Sequence, residues 1–274
     1  NELLGMNLYE VVKKNGYKGL PVPLIRTYTR QILDALIALD EARIVHCDLK
    51  PENVLLDRHS STDITLIDFG SACFESSTMY SYIQSRHYRS PEVILGLRYT
   101  CAIDMWSLGC IAAELFLGIP IFPGANEYNQ MYKIIEMLGP PPPEMIRLGT
   151  RASKFFKPDS RSAAGYLFKS ISEYEAATGV HVDHDKKYFV YRNLQELVSK
   201  FPMKNPDAAN PAKSANPACQ DKEVRRSLLH FLRGCLQLDP TKRWTPDQAR
   251  AHPFLNEEVL PDGWAPPPPR RPTP

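Results

Sequence analysis

Cys101 to Leu117 is apolar around nearly its whole circumference rather than along one stripe, so it has no face to give to water and belongs at the centre of a domain. It is shorter than the roughly 20 residues a membrane span needs and carries two carboxylates, Asp104 and Glu114, which rules out that use. The chain can build a core around it, because 43% of its 274 residues are hydrophobic. Val22-Pro23, followed by Leu24, Ile25, Tyr28, Ile32, Ala35, Leu36 and Leu39, predicts an amphipathic helix with proline in its first turn. Further helices are predicted over Asn126 to Leu138, stopped by Pro140 to Pro143, around Val224 to Leu236, and briefly from Thr245-Pro246. Between them, about 140–219 reads as a long irregular stretch, mostly solvated loop. No internal repeat is visible.

His46-Cys47-Asp48-Leu49-Lys50-Pro51-Glu52-Asn53 lies between the strand-like Arg43-Ile44-Val45 and Val54-Leu55-Leu56, which predicts a rigid loop held by two short strands. Thr62 to Ile67 alternates towards Asp68-Phe69-Gly70. Together these segments set out two carboxylates, a lysine and an asparagine in the order that phosphoryl transfer needs. One carboxylate takes the hydroxyl proton, a second and an amide oxygen hold Mg²⁺, and a lysine offsets phosphate charge. Asp48 is the candidate base with Lys50 beside it, and Asn53 and Asp68 are the candidate metal ligands.

These motifs resemble the H-R-D-L-x-x-x-N and D-F-G pair of protein kinases, with Cys47 where arginine is usual. The segment Tyr80-Ser81-Tyr82-Ile83-Gln84-Ser85-Arg86-His87-Tyr88-Arg89-Ser90-Pro91-Glu92 is similar to an activation segment, and its wording resembles the Yak-type branch of the dual-specificity tyrosine-regulated (DYRK) kinases. The resemblance implies a protein kinase-like α+β fold: a mainly α-helical C-terminal lobe with short catalytic-loop strands, and the N-terminal β lobe missing. It implies ATP and Mg²⁺ as cofactors, protein serine or threonine as substrate, and self-phosphorylation of Tyr82 with Arg86 and Arg89 as its partners. A phosphotyrosine carries nearly two negative charges and needs guanidinium groups nearby, which agrees with that pairing. It further implies structural roles for His46, for Asp104 beneath the catalytic loop, and for Glu92 paired with Arg243. Asp104 placed near a helix start is equally suited to capping.

Residues 1–9 resemble an inter-lobe hinge, which implies adenine contacts from Glu2 and Leu4, a ribose contact from Asn7, nucleotide contact from Glu52, and an adenine floor of Leu55 and Ile67. No G-x-G occurs, and only about forty-five residues precede the catalytic loop, so the glycine-rich lid and strand lysine of such kinases are expected to be absent. The organisation expected is a lobe over 1–260, with hinge 1–9, catalytic loop 46–53, activation segment 68–92 and an insert over about 140–219, then a Pro-rich tail over 261–274. The chain is therefore expected to be a truncated, poorly active kinase domain, or else a non-catalytic binding fragment.

Cys47 and Cys73 fall in loops that must meet at the metal site, which leaves open a regulatory disulfide or two reduced small hydrophobes. Six cysteines without C-x-x-C pairs, and no visible signal or membrane segment, point to cytosol or nucleus. A net charge of +2 without Arg-rich or aromatic-interleaved runs gives no nucleic-acid signature. His181-Val-Asp183-His184-Asp185 carries donors a metal can use but reads as a solvated polar loop. The insert, or the P-x-x-P-x-R pattern of the tail, offers a docking route for a partner.

Overall fold

The computed structural model describes residues 5–60, 62–77, 82–183, 186–202 and 217–270, without the side chains of 217–220. In chain order the elements are α1 (Leu8–Lys14), α2 (Val22–Glu41), β1 (Ile44–Val45), β2 (Val54–Leu56), β3 (Ile64–Leu66), β4 (Cys73–Phe74), α3 (Pro91–Leu95) and α4 (Ala102–Leu117). They continue as α5 (Glu127–Leu138), α6 (Pro143–Leu148), α7 (Ala152–Phe155), β5 (Phe156–Pro158), β6 (Tyr166–Phe168), α8 (Ile171–Thr178) and α9 (Leu194–Lys200), and end with α10 (Pro217–Cys235), α11 (Pro246–Arg250) and α12 (Pro253–Asn256).

Helix α4 is the axis of the molecule. Every residue from Ile103 to Leu117 is buried, as its all-round apolarity requires. Gly109 lets α10 approach closely, since a Cβ there would sit under 3.0 Å from Leu236 and Cys235 side-chain atoms. Helix α2 lays its apolar face, Ile25, Tyr28, Ile32, Leu33 and Leu36, into the same core and also meets α11 and α12. Its proline stands in the first turn, where no N–H is needed.

Two small antiparallel sheets position the loops. β1 pairs with β4 through Ile44 with Phe74 and Val45 with Cys73, and β2 pairs with β3 through Val54 with Leu66, Leu55 with Thr65 and Leu56 with Ile64. Residues 5–7 run beside β2: Gly5 N–H donates to the Leu56 carbonyl at 2.8 Å and Leu56 N–H to Met6 at 2.8 Å.

Among its described residues, the stretch expected to be irregular is largely structured. It holds α6 to α9 and the β5–β6 hairpin, with Phe155, Tyr174, Leu194 and Leu197 joined to the main core. These helices run four to eight residues, too short for apolar periodicity to show, and their stability comes from tertiary packing. The described residues of the tail are also docked: Trp264 stands edge-on to His252 at 4.6 Å, Gln248 donates to the Pro267 carbonyl at 2.8 Å, and Arg270 pairs with Asp247 at 3.2 Å. No described helix is long and apolar enough to cross a membrane.

Candidate active site

The loop over 46–53 is held from beneath. Asp104, in the first turn of α4, accepts the backbone N–H of His46 at 2.7 Å and of Cys47 at 3.1 Å, so it supports the loop rather than capping its own helix. Burial pushes its carboxyl up to about 7, against the opposing effect of those two donors. Cys47 takes a left-handed φ of 69°, which costs a non-glycine residue about 1 kcal/mol or more, and the two bonds around it hold that geometry. His46 is fully buried. Its Nδ1 accepts the Asp48 N–H at 3.2 Å, which makes Nε2 the donor to the Ile67 carbonyl at 3.1 Å, and burial lowers its pKa.

Asp48 is the centre of a dense set of donors. Lys50 Nζ lies 2.6 Å from its Oδ2, while Ser85 gives both backbone N–H, at 3.0 Å, and hydroxyl, at 2.8 Å, to its Oδ1. Asn53 Nδ2 donates to the Asp48 carbonyl at 2.9 Å. The side chains of Asp48 and Lys50 keep 18% and 22% of their surface open, so the carboxylate is oriented yet reachable.

Asp68 arrives by continuing the β2–β3 pairing. Ile67 N–H donates to the Asn53 carbonyl at 3.0 Å, which brings Asn53 and the residue before Asp68 side by side at the end of the ladder. Asp68 has a left-handed φ of 65° and is exposed, and its carboxylate accepts Gly70 N–H at 3.4 Å. Because the Asn53 amide nitrogen is committed to Asp48, its oxygen is turned the other way. Asp68 and Asn53 thus present hard oxygen donors, the chemistry Mg²⁺ prefers.

The segment expected to act as an activation segment is anchored at its far end by a buried pair. Arg243 Nη1 and Nη2 donate to the two Glu92 oxygens at 2.6 and 2.9 Å, both side chains being wholly inaccessible. Arg243 also bonds the Ala102 and Gln237 carbonyls and lies over Trp106. Tyr82 is exposed, with the Arg89 guanidinium 4.2 Å from its ring centre. Arg89 itself donates to the Ile83 and Gln84 carbonyls, whereas Arg86 is turned to the Ala125 carbonyl at 2.5 Å.

Other expected residues are more loosely placed. Leu55 and Ile67 are partly buried next to the loop, and Glu52 is exposed in the 3₁₀ turn Pro51–Asn53. Asn7 is the N-cap of α1 in a capping box with Glu10, so its side-chain oxygen is already engaged by Glu10 N–H. Glu2 and Leu4 lie outside the described residues, as do His184 and Asp185, while His181 pairs with Glu175. Cys47 and Cys73 are free thiols with sulfurs 3.7 Å apart, and burial drives the Cys47 thiol upward.

Two residues were not foreseen: Ser85, described above, and Gln84. Gln84 is buried at a φ of 63°; its amide donates to the Tyr88 and Ile103 carbonyls and to Ser107, and its oxygen accepts from Ser90 twice. Both sit in a polar run that reads as solvated loop, and the only sequence signal is their place between Tyr82 and Arg86.

A protein kinase domain model matches residues 2–255. The chain is 47% identical over 271 residues to the dual specificity protein kinase YAK1 of Saccharomyces cerevisiae, covering 97% of this chain and 33% of that protein. It is 46% identical over 255 residues to the serine/threonine-protein kinase ppk15 of Schizosaccharomyces pombe, covering 93% and 46%. To the Drosophila melanogaster dual specificity tyrosine-phosphorylation-regulated kinase 2 it is 43% identical over 254 residues, covering 93% and 30%. The chain spans less than half the length of each of these relatives.

The match from residue 2 to 255 corrects the expected fold class. A helical C-terminal lobe with its N-terminal β lobe missing is withdrawn in favour of a kinase fold of small sheets and many helices. That expectation rested on one absent motif and on where the chain begins, and neither decides how the matched residues fold. The accompanying expectation of a truncated, poorly active domain finds no support in the match or in these relatives.

Proposed function

We propose, from the premise that this chain belongs to the protein kinase family and is similar to its Yak1-type DYRK members, that it moves the γ-phosphoryl group of Mg-ATP to serine or threonine of proteins and to its own Tyr82. The observation that carries this is the Asp48 carboxylate, fixed by Lys50 on one oxygen and Ser85 on the other while one side stays open. In this reading Asp48 accepts the proton of the substrate hydroxyl, and Lys50 offsets charge on the transferred group. Asp68 and Asn53 would hold Mg²⁺, which when bound neutralises phosphate charge.

Phosphate on Tyr82 would lie beyond the ring edge, so the Arg89 guanidinium, now over the ring face and bonded to two carbonyls, would have to shift towards it; its nearness supports Arg89 as the principal partner. Protein docking is better served by the insert, where Leu167 and Ile171 stay exposed, than by the tail, whose described residues are engaged with the body. The free thiols of Cys47, Cys73, Cys101, Cys110 and Cys235 support a reducing compartment, cytosol or nucleus.

The test is phosphate transfer to a protein substrate with Asp48→Asn and Tyr82→Phe variants. Asp48→Asn is expected to lower turnover by about 10²–10⁴-fold, and Tyr82→Phe to remove the phosphotyrosine signal. Unchanged turnover in Asp48→Asn would remove the base assignment.

A further inference from the structure

A cavity of about 660 Å³ lies apart from the site above, bounded by the end of α2, the residues after β4, the loop entering α4 and the loop before α11. No residue of the 46–53 loop and neither Asp68 nor Ser85 lines it. Its walls are mainly apolar, from Tyr99, Met105, Pro240, Trp244 and Pro246. The size falls within the roughly 300–1,000 Å³ that small-molecule sites occupy.

The charges around it are nearly all committed. Arg43 donates to Glu75 at 2.8 Å, and the other Glu75 oxygen accepts Cys101 N–H at 3.1 Å. Arg243 is spent on Glu92 and the Ala102 carbonyl, and Asp40 has its own partner. Arg98 is the exception: it is exposed, and among the described residues no carboxylate holds it. An apolar chamber with one available cation at its rim selects a ligand with the complementary layout.

We infer that this cavity is a binding site for an amphipathic small molecule, a bulky apolar body bearing one anionic group, with the body against Trp244, Met105 and Tyr99 and the anion on Arg98. Its walls reach the catalytic machinery on two sides. The Tyr99 hydroxyl is 3.7 Å from Cys73 Sγ, and Arg243 ties the cavity to Glu92 at the end of the activation segment. The site is therefore placed to act as an effector pocket, although binding there does not depend on the kinase reading.

The test is fluorescence titration of the whole protein with 8-anilinonaphthalene-1-sulfonate, an aromatic anion, in excess Mg-ATP. A single saturable site that survives the nucleotide is expected, weakened at least about tenfold in Arg98→Glu, largely kept in Arg98→Lys, and lost in Ala102→Phe, which fills the chamber. Arg98 is a surface residue outside the catalytic set, so its two variants decide the matter even if Ala102→Phe does not fold. Equal dye affinity in wild type and Arg98→Glu, or displacement of the dye by ATP, overturns the proposal.

Discussion

Ser85 donates twice to one oxygen of Asp48, through its backbone N–H at 3.0 Å and its hydroxyl at 2.8 Å, across 37 positions of sequence. The segment that carries Tyr82 is thereby tied to the carboxylate proposed as the base. Ser85→Ala keeps the backbone bond and loses the hydroxyl, so turnover is expected to fall about tenfold, a loss of roughly 1.4 kcal/mol at the transition state. Ser85→Thr, which restores the hydroxyl, should recover most of it. Steady-state kinetics of both variants checks this, and equal rates in wild type and Ser85→Ala would show the hydroxyl to be idle.

Glu92 and Arg243 are both wholly inaccessible and bonded through two contacts. Removing one partner strands the other charge in the core, so Arg243→Ala is expected to lower stability by about 3–5 kcal/mol. Urea denaturation measures it. A loss under about 1 kcal/mol, typical of exposed pairs, would mean that the pair is hydrated in solution.

Glu114 accepts the Tyr88 hydroxyl at 2.7 Å, and burial pushes its carboxyl up to about 7. A folded pKa above the unfolded one means that folding takes up a proton. The associated stability is fully present below the ordinary carboxylate pKa near 4.5 and is lost as pH rises to about 7. Asp104 behaves in the same direction. Glu114→Gln removes one of these titrations, so its melting temperature should fall less steeply than that of wild type between pH 5 and pH 7. Parallel curves for the two proteins would remove this role of Glu114.

Cys47 and Cys73 are 3.7 Å apart as thiols, but burial holds the Cys47 thiol well above its usual range. Thiolate is the reactive form, so oxidation of the pair in folded protein at neutral pH is expected to be slow. Peptide mapping by mass spectrometry after hours in air should find both thiols free, with a crosslink growing as pH is raised. Rapid complete pairing at neutral pH would show that Cys47 is not protected.

Much of the candidate site was legible because its residues lie close together in sequence. His46, Asp48, Lys50, Asn53 and Asp68 stand in short segments whose flanking apolar runs announce strands, and β1, β2 and β3 form there. The all-round apolarity of α4 likewise predicted its central place. Gln84 and Asn7 were less readable. Nothing in the composition of a polar loop tells that Gln84 is buried, and the Asn7 to Glu10 capping box was passed over in favour of a ligand role.

What the sequence alone determined is the set of candidate reacting groups and the helices long enough to show a period, since both depend on neighbours within a few positions. Which groups meet was left to the tertiary structure: Ser85 on Asp48 was not expected at all, and Asp104 beneath His46 and Arg243 on Glu92, across 151 positions, were expected only from the family resemblance. Those contacts are decided by how α4 and its neighbours exclude water, because a buried carboxylate must find donors wherever the packed chain brings them.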